Sequence, residues 1–200
     1  MARIGPCPRM ENLHLIVGLG NPGKDYERTR HNAGFLALDR LAARWRLEWA
    51  AGVKFDSRWA RRDRDGLRAL LVQPQTYMNR SGDAVARYVL YYRVALERIL
   101  VVVDDADLEL GAVRLKPRGS SGGHHGLESI EAQLGTREYA RLRVGIGRRG
   151  EGPREITDHV LGRFGRTEWP WFERVLDRVS EQVECWLESG VNVAMNRYNG

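Results

Sequence analysis

The chain has 200 residues, a formal net charge of +6 and two cysteines, enough length for one domain with a sizeable core and no disulfide or metal staple. Cys7 and Cys185 stand near opposite ends with no Cys/His ligand spacing, which argues against a disulfide framework or zinc module and for a reducing, cytoplasmic setting. No apolar run approaches the ~20 residues of a membrane span, and the basic balance, carried mostly by arginine, fits either a polyanionic partner or a solvated surface.

Met1 to Asn12 lacks periodicity and holds two prolines, so residues 1–12 read as a disordered extension and 13–200 as the domain. Leu15, Ile16 and Val17 form a β-rich run that Gly18 terminates, the pattern of a buried strand. The glycines Gly18, Gly20 and Gly23 spell a dinucleotide fingerprint, which requires a helix to start at the glycines. Instead, Pro22 and the polar run Lys24 to Arg30 delay helical periodicity until after Asn32, and Asp39 falls inside that helix; no nicotinamide or flavin cofactor is expected. The helix spans Asn32 to Trp45 with Asn32 as its N-cap. His31 then sits at its mouth, beyond the carboxyl end of a strand, where open α/β sheets build their sites.

Val53 to Val72 reads as two strands around a polar turn at Arg61 to Gly66. Thr76 or Asn79 starts a second helix, whose apolar positions Val85, Tyr88, Val89 and Tyr92 recur at helical spacing. Ile99 to Val103 is a continuous apolar strand ending on Asp104 and Asp105. Gly111 to Lys116 alternates as a strand, Pro117 to Gly123 is a loop, Leu127 to Leu134 a short helix, and Tyr139 to Gly147 another alternating strand. Arg148 to Arg154 has no apolar anchor and is expected to be a mobile flap. A last helix from Thr167 to Ser189 is capped by Gly190. Strands alternating with helices predict one α/β domain, a twisted mixed and largely parallel sheet with helices on both faces.

The Gly-x-Ser-x-Gly spelling at Gly119 to Gly123 falls within the Gly/Ser loop and makes no strand-to-helix elbow, and neither cysteine lies beside a histidine, so a covalent nucleophile has little support and water is the expected one. His31 suits a general base near neutral pH, although a histidine at a helix start is often only a cap. Asp104 ends a buried strand, where a carboxylate is costly unless paired, and it would orient His31; Asp105 and Asp107 are available as helix-cap or turn aspartates, a reading that stays open for any one of the three. Asp104, Asp105, Asp107 and Glu109 would scatter over both faces of a strand, so no metal is expected. Asn21 and Asn79 are amides on shaped backbone, able to donate to a carbonyl or merely to cap. The loop Gly119 to Gly126, with His124 and His125, could clamp a phosphodiester through its amides, amid Arg114, Lys116, Arg118 and Arg143.

Five ordered blocks carry a resemblance: GLGNPGKDYERTRHNAG, PQTYMNRSG, VVVDDADL, GSSGGHHGLESI and RLRVGIG. Together they resemble the bacterial-type peptidyl-tRNA hydrolase family, whose members cleave the ester between a peptide and the 3′ end of tRNA. The resemblance implies a monomeric, cofactor-free and metal-free hydrolase in which Asp104 pairs with the base His31. It further implies that Asn21 helps tell a blocked from a free aminoacyl group, that Tyr26, Tyr77 and Asn79 contact substrate, and that Met78 lines the peptide cleft. By the same resemblance Lys116 and Arg143 hold the 5′ phosphate of tRNA, and His124 and His125 belong to the RNA-contacting loop. The chain departs from the family at His125, usually asparagine, at Glu128, usually basic, and at Ala106, usually a larger aliphatic. A non-catalytic RNA-binding protein on the same scaffold is the rival reading.

Overall fold

The computed structural model describes residues 12–64, 66–148 and 152–199. Strand β1 (Leu13–Gly18) is the middle of a seven-stranded sheet. It runs parallel to β4 (Leu67–Pro74) on one side and β5 (Ile99–Asp105) on the other, and β7 (Ala140–Gly145) runs parallel to β5. Antiparallel strands extend both edges: β3 (Ser57–Arg64) and then β2 (Ala50–Gly52) beside β4, and β6 (Val113–Lys116) beside β7. The order is therefore β2-β3-β4-β1-β5-β7-β6, a mixed sheet with a parallel centre. Strands covered on both faces read as unbroken apolar runs, which makes β1, β4 and β5 conspicuous in the sequence.

Side-chain parity splits the core in two. Ile16, Leu71, Leu100, Val102 and Leu142 face α1 (Ala33–Arg44) and α5 (Trp169–Tyr198), while Leu15, Val17, Val72, Val101 and Val103 face α2 (Ser81–Tyr92) and α3 (His125–Leu134). Helices thus cover both faces, as expected. The exposed pairs Arg40–Asp177 and Arg44–Glu184 also link α1 to α5. Surface pairs contribute roughly 0–1 kcal/mol each, against about 1.5–3 kcal/mol for each fully buried aliphatic side chain, so burial dominates this packing.

Two glycines let α1 press against the sheet where its active end lies. A Cβ on Gly18 would stand 2.3 Å from the Gly34 carbonyl oxygen, and one on Gly34 would stand 2.4 Å from both Leu19 N and Val102 O. Only hydrogen fits there. This contact brings the start of α1, and with it His31, to the ends of β1 and β5.

Several boundaries differ from expectation. Arg61 to Arg64 pair with β4 instead of turning; the short added strand β2 meets β3 only at Ser57 to Trp59, so this end of β3 keeps an open edge that tolerates polar side chains. Neither Thr76 nor Asn79 caps α2: a 3₁₀ turn at Met78–Arg80 precedes it. Gly190 adopts φ 81, ψ 173, yet helical structure resumes and continues to Tyr198, so it kinks rather than ends the element. The expected flap contains the start of a further helix, α4 (Pro153–Leu161), whose entry is fixed by the Glu155 carboxylate accepting from Gly152 N at 3.1 Å. Residues 149–151 of that flap, and the expected N-terminal extension apart from Asn12, lie outside the described residues.

Candidate active site

Strand parity selects the carboxylate. Asp104 follows Leu100 and Val102 towards α1, whereas Asp105 follows Val101 and Val103 to the other face. Asp104 is 3% exposed and meets His31 Nδ1 at 3.1 and 3.0 Å through its two oxygens. Asp105 instead pairs with Arg143 at 2.9 Å and accepts from Asp107 N. Asp107 is exposed, 3.6 Å from Arg148.

Burial of His31 disfavours its charged form, but the Asp104 charge and hydrogen bond outweigh this and raise its pKa above the ordinary 6.5. Burial likewise works against the charge on Asp104, yet the facing imidazoles His31 and His124 hold its carboxyl well below the usual carboxylate range. A carboxylate at Nδ1 directs the remaining nitrogen, Nε2, to act as acceptor. His31 lines a cleft of about 550 Å³ together with Asn21, Tyr77, Met78, Asn79 and His125.

The Asn21 loop is braced from within. Asn21 N donates to Asn32 Oδ1 at 2.8 Å and Asn32 Nδ2 donates back to Asn21 O at 3.0 Å. Asn32 stands at the N-cap position of α1 as expected, but its side chain makes no cap bond, since both ends are spent on Asn21. Met78 N donates to Asn21 Oδ1 at 2.8 Å, which fixes the amide orientation and leaves the Asn21 NH₂ group as the end able to donate to a ligand.

The other predicted residues separate. Tyr77 is 60% exposed and Asn79 is exposed at the rim, while Met78 is buried in the wall. His125 is exposed, its Nδ1 3.0 Å from Glu128. His124, expected to face RNA, turns inward: Nε2 lies 3.0 Å from Asp104 Oδ1, and Nδ1 accepts from Gly126 N at 3.2 Å, so neither nitrogen remains for a substrate. Arg143 lines the cleft, but its guanidinium already binds Asp105, Ser120 O and Ser121 O. Lys116 is exposed on the edge strand and Tyr26 lies on the 3₁₀ turn Lys24–Tyr26; neither lines this cleft.

Three contributions escape sequence reasoning. Arg141 is fully buried and donates to Gly119 O, Ser120 O, Glu131 and Arg137 O, so it and Arg143 hold the Gly/Ser loop by its carbonyls. Its only signal was position on an inward-alternating strand. Asn32 was visible as a cap, not as a brace. Ile156, Val160 and Leu161 of α4 form an apolar wall of the cleft, carried by a helix the charged flanking sequence conceals.

Among the described residues, His31, Asp104 and His124 are the group whose donor atoms lie close enough to meet one cation, within 4.8 Å of one another. The Gly126 amide at His124 Nδ1 places the proton on Nε2, pointing at Asp104; a metal at Nε2 would require that proton on Nδ1, against an N–H. This donor set fits a hydrogen-bonded array better than a metal centre.

An imidazole held by a buried carboxylate, opening onto a cleft with a fixed amide donor at the carboxyl ends of a parallel sheet, is an arrangement able to draw a proton from water, as a hydrolase requires. Comparison with known proteins specifies the kind. Residues 15–200 match the family model described as peptidyl-tRNA hydrolase, and the chain belongs to that family. Peptidyl-tRNA hydrolase of Gloeobacter violaceus is 46% identical over 94% of each chain, and that of a Synechococcus strain is 45% identical over 94% of this chain and 84% of its own. The crystal structure of peptidyl-tRNA hydrolase from Acinetobacter baumannii superposes with a TM-score of 0.89 at 38% identity, covering 96% of both chains. No helix among the described residues is long and apolar enough to cross a membrane.

Proposed function

We propose that this chain hydrolyses the ester of peptidyl-tRNA, releasing free tRNA and peptide, with His31 as general base. His31 Nε2 takes a proton from water as the oxygen attacks the ester carbonyl, and Asp104 stabilises the imidazolium. The Asn21 NH₂ donates to the carbonyl oxygen as charge develops there, with Asn79 at the rim as a further donor. The proton then passes from His31 to the departing ribose oxygen. The observation that carries this reading is the His31–Asp104 pair at 3.0 Å beside the Met78-oriented Asn21 amide.

Met78 and the apolar face of α4 offer an adaptable wall for peptide side chains, while Tyr26, Tyr77, Asn79 and His125 contact the tRNA end. Lys116 supplies phosphate contact, with Arg143 joining it where its remaining donors reach. The protein works as a cytoplasmic monomer. A non-catalytic RNA-binding role is not favoured, since the base, its carboxylate and the amide donor are all in place. The test is turnover of a purified N-blocked aminoacyl-tRNA beside its free-amine form: rapid release from the blocked substrate alone is expected, and release from neither would refute the proposal.

A further inference from the structure

We propose that His124 is a positioning residue for the hydrolytic base, acting through Asp104 rather than on substrate. The inference rests on the reading of His31 as base.

Asp104 Oδ1 serves two imidazoles: it shares the His31 Nδ1 proton with Oδ2, and it lies 3.0 Å from His124 Nε2. A carboxylate bifurcated by one ring alone can pivot about its Cβ–Cγ bond, tilting the plane in which His31 is held. A second donor on Oδ1 pins that plane. The second ring is itself pinned, because Gly126 N, an unpaired donor of the first turn of α3, gives its proton to His124 Nδ1.

The two rings are consequently unequal although they lie 5.0 Å apart between centroids. Each has one nitrogen on the same carboxylate. The other nitrogen of His31 faces the cleft, whereas that of His124 is occupied by backbone. A proton arriving from water can be accommodated on His31 without breaking a bond, but on His124 only by losing the α3 cap. The helix start thus decides which imidazole serves as base. Asp104 and His124 adjoin His31 directly, and Asp105, Asp107, His125, Arg143 and Arg148 line the same cleft.

The arrangement predicts a kcat effect without a KM effect. Replacing His124 by Phe removes a charge-assisted hydrogen bond, so kcat on N-blocked aminoacyl-tRNA falls by about tenfold or more while KM stays within about twofold. With one donor gone, Asp104 concentrates its charge on His31, and the acid limb of the kcat profile moves to higher pH. His124→Gln, whose amide can still donate to Oδ1, recovers most of kcat and returns the limb towards its original place. A raised KM with unchanged kcat, or a limb that does not move, would overturn the proposal in favour of a substrate contact. Should the Phe variant not fold, ¹⁵N NMR of the unmodified enzyme still decides: Nε2-protonated His124 is expected, and an Nδ1-protonated ring contradicts it. Failure of the underlying reading looks different, since the unmodified enzyme would then not cleave the substrate.

Discussion

Asn21 and Met78 are locked together, the Met78 amide donating to Asn21 Oδ1 at 2.8 Å across 57 residues of sequence. The bond settles which end of the side-chain amide is available: its acceptor is used by the protein, and its donor is left for a ligand, which in the proposed mechanism is the carbonyl under attack. Asn21→Asp keeps the acceptor but presents an oxygen where the donor stood. Loss of one such donor typically costs about 10²–10³ in kcat, so steady-state turnover of N-blocked aminoacyl-tRNA by this variant is expected to fall by that order with its melting temperature little changed.

On the proposed mechanism activity rises with pH through a value above the ordinary imidazole 6.5, because that mechanism needs neutral His31 and the paired Asp104 raises its pKa. The stability contributed by the charged pair has the opposite trend: it is fully present below 6.5 and is lost as pH rises through the raised folded-state value. Asp104→Asn removes the charge, so the acid limb of a pH–rate profile is expected at lower pH, with kcat reduced by about 10²–10⁴ through loss of ring orientation.

Lys116 and Arg143 should behave differently although both are cationic. Lys116 is exposed on β6, so Lys116→Ala is expected to weaken tRNA binding and reduce the slope of log affinity against log salt by about one, with kcat preserved. Arg143 binds Asp105 and the Ser120 and Ser121 carbonyls, so Arg143→Ala should also loosen the loop and lower kcat. Salt titrations of binding alongside turnover separate the two.

Gly34→Ala is expected to be severe for its size. The added methyl would meet Leu19 N, Leu19 O and Val102 O, all backbone, so nothing can rotate away. Overpacking costs about 1–3 kcal/mol or more. Denaturant unfolding should register that loss, and His31, carried on the same segment, should lose activity disproportionately.

The parallel centre of the fold was legible because β1, β4 and β5 are buried on both faces and so spell themselves in apolar residues. The meeting of His31 with a carboxylate at the strand ends was legible, and parity along β5 explains why Asp104 rather than Asp105 turns to the histidine. The inward turn of His124 was not legible: it depends on a first-turn amide of α3, Gly126 N, falling within reach of the His124 ring. Arg141 was equally hidden, since an arginine on an alternating strand reads as surface until the loop that needs its donors is seen folded over it. Helix α4 was concealed by a charged entry whose stop and start depend on Glu155 reaching back to Gly152 N.

The central claim, that His31 removes the proton from water, is tested most directly by single-turnover cleavage of N-blocked aminoacyl-tRNA with His31→Ala, with tRNA affinity measured on the same preparation. A general base contributes about 10²–10⁴, so cleavage is expected to slow by that order while affinity is unchanged. Cleavage at the rate of the unmodified enzyme would contradict the assignment.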